Sequence, residues 1–147
     1  MKRISKRAVL LIALTLAGVA DAASTQSKRE LIRTLQQQGF TGALSGDIHF
    51  TTVGNLRCPS GNFQVIYFEW YGPAHPGSHR AQYRILFLEG GRRYMGSYIV
   101  MGGPVSIRNN SVLFTYDESS ENVITCSAIG TGESVELKEG GSLTMGK

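Results

Sequence analysis

The sequence predicts an all-β protein, a small antiparallel barrel or sandwich of about eight strands preceded by one N-terminal amphipathic helix. After Gly39 the apolar residues alternate with the period of two that strands show. Gly90-Gly91 and Asn109-Asn110 interrupt this alternation with the residue types of tight hairpins. With 147 residues, 41% of them hydrophobic, the chain has room for one domain. We therefore divide it into a signal peptide (1–22), a helical segment (23–40) and a single β domain (41–147).

The N-terminus has the order of a secretory signal peptide. Four cationic residues lie within positions 2–7, and the apolar run 8–20 follows them. This run is shorter than the stretch of about 20 residues that spans a membrane. Small residues at Ala20 and Ala22 predict cleavage after Ala22. We expect a periplasmic or secreted protein with no transmembrane segment after processing.

Cleavage changes the charge of the protein. It removes four of the 15 Lys and Arg residues and one of the 11 Asp and Glu residues, so the formal charge falls from +4 to +1. The basic balance therefore belongs mostly to the signal peptide, and we do not expect a nucleic-acid partner.

Cys58 and Cys126 are the two cysteines of the chain. In an oxidising compartment two thiols normally pair, so the sequence predicts one disulfide. Closing a loop of roughly 70 residues is worth about 4 kcal/mol in the chain-entropy view. The alternative, a free reactive pair, lacks a C-x-x-C motif and an adjacent histidine.

The helix is predicted over residues 25–38. Ser27 and Glu30 form the S-x-x-E capping box, and Gly39 supplies the C-terminal stop. Its apolar stripe is Leu31, Ile32 and Leu35.

The candidate strands are 44–53, 62–71, 80–89, 92–101, 105–108, 111–116, 122–129 and 134–138. The strand 62–71 is apolar on both faces, with Phe63, Val65 and Tyr67 on one face. Such a strand needs a cover on each side, which the helix, a ligand or a partner could supply.

The tyrosines and arginines are the candidate recognition residues of this sequence. Six tyrosines lie in predicted strands: Tyr67, Tyr71, Tyr83, Tyr94, Tyr98 and Tyr116. Tyrosine is common at recognition surfaces because it is large, rigid and amphipathic. The hairpin at Gly90-Gly91 is predicted to present a cationic tip that could engage an anionic partner. The predicted partner-binding residues are Arg92, Arg93, Tyr94, Arg80, Arg84, Tyr67 and Trp70.

Catalytic patterns are sparse. Asp47 and His49 share a strand face, so the carboxylate could orient the imidazole as in a hydrolase, but the chain has no G-x-S-x-G elbow. Glu69 is the one acid in its apolar strand. His75 and His79 have the spacing of a helical metal pair, yet Pro76 and Gly77 between them exclude a helix and indicate an exposed loop. We expect no catalytic site, cofactor or metal.

Segment 58–126 carries an architectural resemblance to a known family. A signal peptide followed by a small β domain with its early and late strands joined by a disulfide is similar to the bacterial periplasmic inhibitors of C-type lysozyme. The inhibitory loop of that family has a Ser-Gly-x-x-Tyr pattern. The nearest segment here is Gly90-Gly91-Arg92-Arg93-Tyr94, with Gly90 in the place of the serine. The resemblance implies an inhibitor-like role for this loop.

The sequence thus predicts an exported, non-enzymatic binding protein that recognises another protein or an anionic envelope component. The alternatives are a barrel carrier of a small apolar ligand, a lysozyme-inhibitor-like protein, and a hydrolase that uses Asp47 and His49.

Overall fold

The computed structural model describes residues 27–75, 78–116, 120–129, 131 and 133–147. The predicted signal peptide and its cleavage site lie outside these residues. The described part contains the helix α1, Lys28–Gln37. The strands are β1 Asp47–Cys58, β2 Gly61–His75, β3 Ser78–Glu89, β4 Arg93–Val100, β5 Val105–Arg108, β6 Ser111–Thr115, β7 Glu121–Ile124, β8 Ser134–Glu136 and β9 Ser142–Thr144. A short 3-10 helix, Cys126–Ala128, follows β7.

All strand pairing in the described residues is antiparallel. The first sheet has the order β1-β2-β3-β4, the second β5-β6-β7, and β8 pairs with β9. The prediction of a mostly β, antiparallel protein is confirmed, and α1 is the one α-helix in the described residues. The barrel alternative is wrong, because a barrel closes only when its first and last strands pair, and β1 and β4 lie at opposite edges of their sheet.

The helix forms for the reasons that its sequence indicates. The side chain of Ser27 accepts a hydrogen bond from the backbone of Glu30, and the Glu30 carboxylate accepts one from the backbone of Ser27. This reciprocal capping box satisfies two of the amides that a helix start leaves free. The helix ends at Gln37, and Gly39 follows it with a φ of 83°, a conformation that favours glycine.

The two faces of β2 lie in two separate cores. Phe63 and Val65 pack with Val112 and Phe114 of the second sheet. Ile66 belongs to the core on the helix side. The buried members of that core are Leu31, Leu35, Phe40, Ile48, Ile66, Phe68, Leu86, Leu88 and Tyr94. The expectation that this two-faced apolar strand needs two covers is confirmed, and the helix supplies one of them.

The disulfide joins Cys58 at the end of β1 to Cys126, with the two Cα atoms 5.4 Å apart. The predicted β5–β6 turn lies beside it, and Asn109 and Asn110 have φ angles of 50° and 55°. Both values are positive, as a type I′ hairpin requires. The Asn110 side chain accepts a hydrogen bond from the Arg57 nitrogen at 2.9 Å and donates one to the Arg57 oxygen at 2.6 Å. The turn therefore holds the end of β1 near the disulfide.

Three predicted segments differ from the structure. The backbone on both sides of the predicted exposed loop around His75 and His79 belongs to the β2–β3 hairpin, with Pro73 opposite His79, while Pro76 and Gly77 lie outside the described residues. Pairing between β1 and β2 reaches Tyr71, so Pro73 has one unpaired side where its missing N–H is harmless. The predicted strand 122–129 stops at Ile124 and turns into the 3-10 helix. Strand β9 lies in a segment for which no strand was predicted.

Candidate functional site

A group of tyrosines occupies one face of the β2–β3 hairpin. Tyr67, Glu69 and Tyr71 alternate along β2 and therefore point to the same side of the sheet. Tyr83 of β3 lies directly opposite Glu69. We call these four residues the tyrosine patch.

The patch lies where the second sheet ends. β2 has 15 residues and β6 has five. At roughly 3.3 Å per residue, β2 extends over about 50 Å and β6 over about 17 Å. The second sheet covers Phe63 and Val65, whereas Tyr67 and Tyr83 are only half-buried at the margin of that core. The mismatch in strand length leaves the tyrosine patch partly open.

The rings of the patch contact one another. Tyr67 and Tyr83 lie parallel, with an interplanar angle of 6° and centroids 6.3 Å apart. Tyr71 meets Tyr83 edge to face at 6.1 Å and is 37% exposed. Such contacts fix the ring orientations, so the patch offers aromatic area with little side-chain entropy left to lose.

The polar atoms of the patch form a small network. The Tyr71 hydroxyl donates a hydrogen bond to Glu69 Oε1 at 3.1 Å. A hydrogen bond with Tyr83, partial burial and the bond to Glu69 all raise the pKa of Tyr71. Burial raises the pKa of Tyr67 to about 12, and the charge of Glu69 adds to this shift. The phenols of Tyr67 and Tyr71 are therefore neutral at physiological pH, and the carboxylate in contact with them is that of Glu69.

This network predicts an alkaline titration. We expect the Tyr67 phenol to ionise near pH 12 and to ionise at lower pH in Glu69→Gln, because the variant removes a neighbouring negative charge. The folded-state pKa lies above that of a free tyrosine, so its stabilising contribution is complete below about pH 10 and is lost as the pH rises through 12. Phenolate absorbance during a pH titration measures the ionisation of Tyr67 in the wild type and in Glu69→Gln. An identical titration in Glu69→Gln would contradict the network.

Asp47 and His49 border the patch on β1. The strand register places Asp47 opposite Tyr71 and His49 opposite Glu69. The Asp47 carboxylate is 2.9 Å from His49 Nε2, and both side chains are more than half exposed, at 65% and 55%. The His49 ring also meets Tyr71 at 6.1 Å. The predicted shared face of Asp47 and His49 is confirmed, and it joins the patch.

The predicted cationic tip contains two exposed arginines, but its tyrosine is buried. Arg92 and Arg93 are exposed, and Arg93 pairs with Glu89 at 2.6 Å. Tyr94 is 5% exposed, and its backbone nitrogen donates to Gln38 Oε1 at the end of the helix. The expectation of an exposed Tyr94 at the tip is wrong, because the strand parity of Tyr94 turns its ring into the helix-side core.

Arg84 is also buried, with 5% of its surface exposed. Its guanidinium lies 5.0 Å from the centroid of the Phe40 ring, and Nη1 donates to the hydroxyls of Thr41 and Ser97 at 3.3 Å. Burial lowers the pKa of Arg84, against a smaller opposing effect from Tyr94. The expectation that Arg84 lies beside the exposed cationic tip of Arg92 and Arg93 is therefore wrong. Arg84 shares a sheet face with Phe68, and the helix-side core covers that face.

The remaining predicted partner-binding residues are dispersed. Arg80 is exposed on β3 opposite Gly72. Trp70 points to the other side of the sheet from Tyr67, packs against the helix-side core and donates its indole N–H to the Ser45 carbonyl at 2.7 Å. Tyr67 and Trp70 therefore do not form one surface.

Tyr71, Tyr83 and Glu69 were not among the predicted partner-binding residues. Glu69 and Tyr71 could have been found from the alternation of side chains along β2, because both lie on the same face as Tyr67. Pairing of Tyr83 with Glu69 depends on the strand register, which the sequence pattern did not set.

Within the described ranges, no three His, Cys, Asp or Glu side chains are grouped to hold a metal ion. No helix in the described part of the chain is long and apolar enough to cross a membrane. No protein-family model matches the sequence, and neither a curated protein nor a solved structure shows a significant match to it.

Proposed function

We propose that this is an exported, non-enzymatic binding protein that recognises another protein or envelope component through the tyrosine patch. The single observation that carries the proposal is the contact among Tyr67, Tyr71 and Tyr83 on a part of the sheet that the second sheet leaves partly open. Tyrosine is enriched where proteins bind one another, and a pre-oriented cluster loses little entropy on binding.

Two features support export. The sequence begins with a cationic segment and a short apolar run, as secretory signal peptides do. The Cys58–Cys126 disulfide is typical of oxidising compartments and uncommon in cytosolic proteins. Both features favour a periplasmic or secreted location.

Export predicts a defined N-terminus. We expect the protein recovered from its native compartment to begin at Ala23, because the small residues Ala20 and Ala22 form the recognition pattern of the signal peptidase. Intact-mass spectrometry measures this directly. Exported protein that retains Met1 would contradict it.

The other functions have less support. The carrier hypothesis was based on strands that are apolar on both faces, and the helix-side core and the second sheet account for those faces. A hydrolase would need a nucleophile near His49. Within the described residues, His49 pairs with the Asp47 carboxylate and its ring meets that of Tyr71. Tyr94, the tyrosine of the Gly90-Gly91-Arg92-Arg93-Tyr94 loop that the lysozyme-inhibitor resemblance singles out, faces the interior.

Affinity capture tests the proposal. The exported protein, carrying a tag, is used to capture envelope and secreted proteins, and Tyr71→Ala is used in parallel. We expect a partner that wild type retains and Tyr71→Ala loses, because the variant removes the most exposed ring of the patch. A partner captured equally by both proteins would reject the tyrosine patch as the recognition surface.

The exposed arginines provide a second candidate surface, for an anionic partner. We expect Arg92→Ala with Arg93→Ala to leave the melting temperature nearly unchanged, because both side chains are exposed and surface ion pairs contribute about 0–1 kcal/mol. If these residues bind the partner, the double variant weakens that binding by about 1–3 kcal/mol. Calorimetric titration of the captured partner against the double variant and Tyr71→Ala assigns the surface.

A further inference from the structure

We infer that the tyrosine patch binds the side chain of an exposed lysine or arginine on a partner protein. The three rings and the Glu69 carboxylate are its contacts. This inference rests on the proposed function and adds the chemistry of the partner to it.

The first argument is the charge of Glu69. Among the side chains that the structure describes, which exclude those of residues 74–79, the ion pairs are Asp47 with His49, Glu89 with Arg93, and Glu121 with Arg108. The Glu69 carboxylate makes none of them, and its hydrogen-bond donor is the neutral hydroxyl of Tyr71. Glu69 is half-buried, and a carboxylate that has lost part of its hydration gains most from a cationic partner. A cation from another molecule would supply the missing countercharge.

The second argument is the chemistry of the rings around that charge. Tyr67, Tyr71 and Tyr83 have electron-rich faces, which attract ammonium and guanidinium groups within about 6 Å of a ring centroid. The Asp47 carboxylate, although it lies 2.9 Å from His49 Nε2, is 65% exposed at the border of the patch, opposite Tyr71. Arg84, by contrast, is buried with the helix-side residues on the other face of the sheet. Rings and carboxylates thus favour the same sign of charge in the bound group.

The third argument concerns the size of the occupant. The patch is a partly exposed sheet face, with Tyr71 37% exposed and Tyr67 and Tyr83 half-buried. Small ligands are usually held in concave sites that bury most of their surface. An open face of rigid aromatic rings is instead typical of protein recognition, where the area around a central contact excludes water. The cation is therefore a side chain of a folded or extended protein partner.

A peptide that alternates lysine and glycine tests this inference, and the same peptide with acetylated lysines is its neutral match. The predicted charge of the exported chain is only +1, so a cationic peptide has no general attraction to it. We expect the lysine peptide to bind and to shift the ring resonances of Tyr67, Tyr71 and Tyr83 in NMR spectra. We expect the acetylated peptide to bind about fivefold or more weakly, since the cation–π and carboxylate contacts are lost.

Glu69→Gln is the decisive variant, because it removes the charge and retains an oxygen that can accept the Tyr71 hydrogen bond. Glu136→Gln is its matched control, since Glu136 is an exposed acid on β8 and its loss changes the net charge equally. We expect Glu69→Gln to weaken binding of the lysine peptide about fivefold or more and Glu136→Gln to leave it unchanged. Equal losses in the two variants, or no binding by the wild type, would overturn the inference.

The result for the captured partner separates this inference from the proposed function. If Tyr71→Ala loses the partner and Glu69→Gln retains it, the patch is the recognition surface and the cationic contact is wrong. If both variants retain the partner, recognition lies elsewhere and both proposals fail. Loss in both variants, with retention in Glu136→Gln, supports both.

Discussion

Phe68→Ala is expected to lower the free energy of unfolding by about 3–5 kcal/mol. The Phe68 side chain is fully buried in β2, on the face opposite the tyrosine patch. Its ring packs edge to face on Phe40 at 5.3 Å and contacts Phe50 at 5.5 Å. Truncation would leave a cavity between the sheet and the segment that follows the helix. Because small domains are stable by only about 5–15 kcal/mol, the loss is a large fraction of the total.

Urea denaturation followed by circular dichroism measures this loss, and Ile99→Ala is the matched control. Ile99 is an aliphatic residue in β4 of the same sheet and is 54% exposed. We expect Ile99→Ala to cost about 1 kcal/mol or less, because its side chain already contacts water. A loss in Phe68→Ala no larger than this would show that the helix-side core contributes little to the stability of the sheet.

The hydrophobic pattern of the sequence was sufficient to predict the strands and the two faces of β2. In β2, Phe63 and Val65 face one core and Ile66 faces the other, as strand parity requires. The Asn109-Asn110 turn was equally readable, because asparagine tolerates the positive φ angles of this hairpin. These features depend on neighbouring residues alone.

Features that depend on distant residues could not be read in the same way. Whether the sheets close into a barrel depends on which strands become edges, and sequence alternation is the same in both cases. The burial of Tyr94 depends on the docking of the helix end, where Gln38 bonds to the Tyr94 backbone. The extension of β2 past Pro73 depends on where β1 ends. In each case tertiary packing overrides the local propensity.

The candidate site shows the same division. The shared face of Asp47 and His49 follows from their separation by two residues. The meeting of Tyr83 with Glu69 needs the register between β2 and β3, and a slip by one residue would send Tyr83 to the opposite face. The prediction that Arg84 and Tyr94 belong to an exposed cationic tip was wrong because the side chains of both residues lie on the sheet face that the helix covers.

Loss of the disulfide is the second change with a large expected effect. We expect Cys126→Ser to lower the free energy of unfolding by about 2–5 kcal/mol. The bond joins residues 68 positions apart, so it removes many conformations from the unfolded chain. Urea denaturation gives the loss, and reducing agent should reproduce it in the wild type and have no effect on Cys58→Ser/Cys126→Ser. Two free thiols in the purified native protein would contradict the prediction.

The disulfide could stabilise the protein by restricting the unfolded chain or by holding the native junction together. A variant of Asn110 distinguishes these two effects. Its side chain holds the Arg57 backbone and lies 3.6 Å from Cys126 Sγ, so it fixes the same junction without constraining the unfolded chain. Asn110→Gly removes these contacts and retains a residue suited to the φ of 55°. If the disulfide acts through the unfolded chain, its removal costs the same with Asn110 and with glycine, and the two losses add. A coupling energy of about 1 kcal/mol or more in this double-mutant cycle would instead place much of the effect in the native junction.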